Sequence, residues 1–209
     1  MGAAQISFDM FEGHHGRPYL EILAGLVGMV VFAVFWSAAI AVDGHWVFGV
    51  NTLSDLGADR PGRLWFNSGV IIAGAMLVIY SFGLHHVLGK GQLSSGGCLL
   101  LFLSALALIG IGIFPETSGI AHTYFSWGFF FLAMIGLLVL TRPILRSVAF
   151  GQVAKAMTII IPLGSIAILL VVMSIPFAEA IAVILLMIWG AVTSINLLMS
   201  VRLGIARGT

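Results

Sequence analysis

"GGCLLLFLSALALIGIGIF", Gly96–Phe114, contains no charged residue and is long enough to cross a bilayer as a helix. Five other stretches are of similar length and mostly apolar: about Tyr19–Val42, Leu64–Leu88, Ala121–Leu140, Ala156–Pro176 and Ala178–Val201. A span of roughly 20 apolar residues is what the hydrocarbon layer demands. Such a span must be helical, because lipid offers no partner to an open backbone amide or carbonyl. Composition agrees. Hydrophobic residues make up 60% of the 209 and charged residues 8%, and the mean hydropathy is +1.15. Soluble domains carry about 25% charged residues, so the solvent for this chain is lipid. The expected fold is an all-α polytopic bundle of six transmembrane helices. It comprises a mobile or interfacial N-terminus over 1–18, one domain over 19–201 and a short tail over 202–209.

Punctuation supports these divisions. "GKGQ" follows the second run, Pro115 the third and Pro143 the fourth, while Pro176 closes the fifth. Pro162 falls inside the fifth run, where a kink is expected. "SAAIA" at Ser37–Ala41 resembles a cleavage site, but the run before it is too long and its approach too little basic for a signal peptide. The first run is read as a retained span.

Orientation follows from the bases. Arg17, Lys90, Arg142, Arg146, Lys155, Arg202 and Arg207 fall on one side of a six-span chain, and only Arg60 and Arg63 on the other. Both termini are therefore expected in the cytoplasm, with the chain in the cell membrane. A net charge of +1 without a basic run gives no basis for a nucleic-acid partner. Cys98 is alone and cannot form an intrachain disulfide.

The outward loops hold most of the acids: Asp43, Asp55, Asp59, Glu116 and Glu179. The loop "VNTLSDLGADRPG", Val50–Gly62, is the longest of them, and "FPETSGIAH" and "IPFAEA" are the others. Topology thus gathers Asp55, Glu116, His122 and Glu179 on one face. Asp55, Glu116 and His122 are the candidate catalytic residues, and the same three are the candidate metal ligands. Asp, Glu and His together can hold a divalent cation, although no HxxxH or HExxH pair is present. The sequence identifies no cofactor beyond that option. Asn51, Ser54, Asn67 and Arg63 are candidate ligand-binding or supporting residues. Bland readings stand beside these. "SDLG" can be an ordinary turn, with Gly57 at positive φ and Asp55 paired to Arg60 or Arg63. Glu116 can simply favour a helix N-terminus. Asn67 can be helix-to-helix glue. His85 and His86 read as inner-interface residues.

No Asp, Glu, Lys, Arg or His lies near the midplane of any span, which argues against a proton pump or ion-coupled transporter. No glycine-rich loop carries the Lys and Ser/Thr of a nucleotide site. Histidines at matching depths for an axial haem pair are lacking. Small-residue pairs at Ala24/Gly28, Gly69/Ala73 and Gly190/Ser194 allow close helix contacts, within the chain or in a homo-oligomer.

"NTLSDLG", "FN" at Phe66–Asn67, and "GIFPE" followed by His122 resemble prokaryotic six-helix membrane proteins grouped as domain of unknown function 998. The likeness is clearest from the first helix through the fourth. A more distant one is to eukaryotic damage-regulated autophagy modulators. The resemblance implies six helices and a shared polar face at Asn51, Ser54, Asp55, Asn67, Glu116 and His122, and no particular reaction. Two functions follow as expectations. One is an outer-leaflet site that binds a lipid or small ligand, with membrane lipids as partners. The other is a lipid-modifying hydrolase or transferase using the Asp/Glu/His set, with or without a metal. The apolar residues of the long loop, Leu53 and Leu56 among them, are expected to fold it down onto the bundle and carry Asp55 toward Glu116 and His122.

Overall fold

The computed structural model describes residues 16–172 and 174–203. Six helices follow one another: α1 Gly16–Asp43, α2 Arg63–Leu88, α3 Gln92–Ile113, α4 Ile120–Arg146, α5 Gln152–Val171 and α6 Ile175–Arg202. Each is long and apolar enough to cross a membrane, so the chain is a multi-pass integral membrane protein. Most of the N-terminal segment, with His14 and His15, and most of the C-terminal tail lie outside the described residues.

Two boundaries differ from the sequence reading. Pro143 does not end the fourth helix, which continues to Arg146. Pro176 does not end the fifth helix but opens the sixth. A proline is well placed in a first turn, where its missing N–H would have had no partner. The Ser174 hydroxyl caps that turn by accepting from Phe177 N. Helix α5 runs unbroken past the buried Pro162.

Helices α1 to α4 pack extensively in sequence order, and α6 closes the bundle against α1. Helix α5 touches only α4 and α6 appreciably, and less extensively. The small-residue pairs serve this packing. Gly28 lies against Met76, Gly69 against Phe35 and Gly190 against Met29. Those faces are occupied within the chain, and self-association through them would require the bundle to open.

The long loop between α1 and α2 packs as its apolar residues require. Leu53 and Leu56 are fully buried with Phe32, Phe66, Ile111 and Phe129, each contributing roughly 1.5–3 kcal/mol relative to exposure in water. Trp46 ties the loop to itself by donating to Thr52 O at 2.7 Å. Val47, Phe48 and Val50 stay exposed on the rim. Gly57 does not adopt positive φ; among the described residues that is confined to Gly44, Gly49, Gly89 and Gly119. Gly57 is required for space. A Cβ there would collide with Asn67 Oδ1 and come within 3.0 Å of Phe66.

Candidate functional site

The chain after α3 turns sharply, and this turn places the histidine. Phe114 ends α3, and its carbonyl belongs to the group of helix-end carbonyls that have no partner within the helix. Pro115 and a short 3₁₀ turn at Glu116–Ser118 lead to Gly119, whose φ of 61° lets the chain reverse into α4. His122, in the first turn of α4, then faces back toward α3. Its Nδ1 lies 2.8 Å from Phe114 O. A carbonyl only accepts, so Nδ1 carries the proton. The neutral ring therefore presents Nε2 as an acceptor.

Ser54 occupies that acceptor. It opens the 3₁₀ turn Ser54–Gly57, and its Oγ lies 3.0 Å from His122 Nε2. Both residues are deeply buried, His122 at 8% exposure and Ser54 at 9%. Glu179, in the first turns of α6, approaches from the other side. Its Oε1 is 3.4 Å from Ser54 Oγ, and its Oε2 accepts from Leu53 N at 3.3 Å. Among the described residues Glu179 forms no ion pair. The result is a chain Phe114 C=O, His122, Ser54, Glu179 that joins three segments distant in sequence. The single Ser54 proton can go to Nε2 or to Glu179. It goes to Glu179 only when His122 is charged and donates from Nε2 itself.

The other expected residues divide. Asp55 does not reach His122 by a hydrogen bond. Its Oδ2 accepts from Asn51 Nδ2 at 3.1 Å and Thr52 N at 3.0 Å, closing its own turn. Among the described residues it is not paired with an arginine either: Arg60 binds Asp43 at 3.0 Å and Arg63 binds Asp59 at 3.2 Å. Asn67 is engaged within the fold, donating to Gly57 O at 3.0 Å. Asn51 holds the loop through Val47 N and Asp55. Glu116 is exposed at the mouth of the site. Its carboxyl is raised above its ordinary value of 4.5 by partial desolvation first and by Asp55 next, with His122 and Arg60 acting in the opposite direction.

The expected metal set of Asp55, Glu116 and His122 does not assemble. Both nitrogens of His122 are engaged, and among the described residues no group of three or more His, Cys, Asp or Glu is placed to hold a metal ion. Glu179 is the residue that reading the sequence underrated. Its signal was present, since an acid near the start of an apolar span is expensive unless partnered.

Ser54, Glu116, His122 and Glu179 line a half-open cleft of about 330 Å³ between α4, α5 and α6, where helix packing is least extensive. Its walls are apolar and include Phe130, Met134, Leu169 and Ala182. The cleft reaches from His122 to Met134, roughly 18 Å along α4 at 1.5 Å per residue. Two buried hydroxyls on it, Ser126 Oγ and Ser165 Oγ, have no hydrogen-bond partner among the described residues. A narrower apolar cavity of about 90 Å³ shares Ser54, Ser126, Phe130 and Glu179 with the cleft and continues inward to Trp189.

A family model described as protein of unknown function, DUF998, matches residues 26–196, a range that contains every residue of this cluster. The chain belongs to the DUF998 family. No curated protein and no solved structure gives a match. DUF998 membership agrees with the resemblance drawn from "NTLSDLG", "FN", "GIFPE" and His122, and it brings no reaction with it.

Proposed function

We propose that this DUF998 protein binds a single-chain or double-chain amphiphile, a membrane lipid or a molecule like one, at the outer leaflet of the cell membrane. The observation that carries the reading is the cleft. It is apolar along its length and has a few polar groups at its outer end, the usual form of a small-molecule site. An acyl chain would lie against Phe130, Met134 and Leu169. The headgroup would meet Thr52, Ser54, Glu116 and His122. The excess of bases on the opposite side supports cytoplasmic termini, so the cleft mouth faces outward.

The test is photocrosslinking of the purified protein in nanodiscs with a phosphatidylcholine bearing a diazirine in its acyl chain. Crosslinks are expected on Phe130, Met134, Leu169 or Ala182, and Ala182→Trp, which fills the cleft, should reduce them at least about tenfold, equal to about 1.4 kcal/mol. Crosslinks spread evenly over the lipid-facing residues of α1, such as Val30 and Val34, and unchanged by Ala182→Trp, would rule the reading out.

A further inference from the structure

We propose that Ser54 is the nucleophile, and His122 the general base, of an acyl-ester hydrolysis on a lipid held in this cleft; the proposal rests on the amphiphile-binding reading. Three observations support it. The first is the arrangement of nucleophile, base and orienting group. Ser54 Oγ is 3.0 Å from His122 Nε2, and His122 Nδ1 is held at 2.8 Å by the Phe114 carbonyl. An activated serine needs this order of partners: a base within hydrogen-bond reach, itself fixed in orientation and tautomer by a third group. Here a backbone carbonyl fills the place that a carboxylate fills in the usual triad. The second is location. Ser54 lies where the outward cleft meets the inner apolar cavity. A carbonyl carbon at Ser54 would therefore have the mouth beside it for an alcohol portion and the cleft walls at Phe130, Met134 and Leu169 for an acyl chain. The third is the pair of unused donors. Ser165 is 6% exposed, its hydroxyl has no partner among the described residues, and it lines the same cleft as the unpartnered Ser126. Buried hydroxyls without partners cost free energy unless something else satisfies them. Ligand oxygens would do so.

The steps balance without any co-reactant but water. Ser54 Oγ bonds to the ester carbonyl carbon, its proton passes to His122 Nε2, and the carbonyl electron pair moves onto oxygen. When that pair returns, the bond from carbon to the alcohol oxygen breaks. Nε2 gives its proton to the departing alcohol. Water then adds to the acyl-Ser54 ester and gives a proton to Nε2. The bond from carbon to Oγ breaks, Oγ regains the proton, and a carboxylic acid leaves. Glu179 is a positioning residue here, because it accepts from Leu53 N and so fixes the backbone next to Ser54.

The experiment treats full-length protein in nanodiscs with hexadecyl fluorophosphonate and maps the adduct by peptide mass spectrometry. Wild type should carry one adduct, on Ser54, and should release p-nitrophenol from p-nitrophenyl palmitate. Ser54→Ala should do neither. His122→Gln should label about 100- to 10,000-fold more slowly, the usual contribution of a general base. The wild-type adduct and its position need no variant, so misfolding of either variant leaves the decision intact. An unlabelled Ser54 in protein that still crosslinks the diazirine lipid would overturn the hydrolysis and leave binding standing. Absence of both adduct and crosslink would overturn the two together. An adduct on Ser54 that forms equally fast in well-folded His122→Gln would also refute the proposal, because the base would then be idle.

Discussion

Gly57→Ala tests the packing that holds Ser54 in place. Gly57 closes the Ser54–Gly57 turn directly beneath α2, where an added Cβ meets Asn67 Oδ1 and approaches Phe66 within 3.0 Å. The turn cannot lift away freely, because Leu53 and Leu56 are fully buried and Asn67 Nδ2 is bonded to Gly57 O at 3.0 Å. Forcing a methyl into such a contact costs about 1–3 kcal/mol. Asn67→Ala alone removes the donor to Gly57 O and should cost about 0.5–1.5 kcal/mol. The two changes are not independent, since Asn67→Ala also removes the atom that the new methyl strikes. The double variant should therefore be more stable than the sum of the singles by about 0.5–3 kcal/mol. The assay is reversible unfolding in mixed micelles with increasing dodecyl sulfate, followed by tryptophan fluorescence. A double variant that equals the sum within about 0.3–0.5 kcal/mol would refute the reasoning. So would a Gly57→Ala protein that unfolds at the wild-type midpoint.

Other expectations can be checked with the same preparation. Asp43→Asn removes the charge that pairs with Arg60 while leaving an amide oxygen able to accept from His45 N; it should destabilise measurably, by less than the roughly 3–5 kcal/mol of a fully buried pair because Arg60 is 30% exposed. A midpoint unchanged from wild type would show that the Asp43–Arg60 pair does not hold the loop. Glu116 has a raised folded-state value, so the folded protein binds its proton more tightly than the unfolded chain does, and stability falls as pH rises from about 4.5 through that folded value. Glu116→Gln should thus be slightly more stable than wild type at pH 7, with the advantage shrinking toward pH 4; a variant less stable at pH 7 contradicts this. In a Cys98→Ala background, Asp59→Cys should react with an impermeant maleimide on intact cells while Lys90→Cys should not, and the reverse pattern would place the cleft mouth in the cytoplasm.

The helices were legible because lipid leaves a spanning backbone no other choice, and six long apolar runs record that constraint directly. Helix ends were less legible where proline stood near them. Pro176 opens α6 and Pro143 lies inside α4, and both positions depend on caps and neighbours that hydropathy does not report. The candidate site was legible as a place and only partly as a set of partners. Topology brought the loops of Ser54, His122 and Glu179 to one face, but which side chains meet depends on turns of a few residues. Asp55 looked like the reactive acid because it is charged. In the structure it is satisfied by Asn51 and Thr52, three or four residues away, and the uncharged Ser54 beside it takes the histidine. Gly57 was read through its backbone freedom, whereas the requirement is the absence of a Cβ beneath Asn67, a contact ten residues distant.

The central claim is that the cleft between α4, α5 and α6 is built for an amphiphile. A cryo-electron microscopy map of the protein in nanodiscs of native lipid, stiffened by a bound antibody fragment, addresses it most directly. The account predicts elongated density running from the Ser54–His122 end past Phe130 toward Met134 and Ser165. A cleft closed by direct packing of α5 against α4, with Ser126 and Ser165 bonded to protein and no density between the helices, would contradict it.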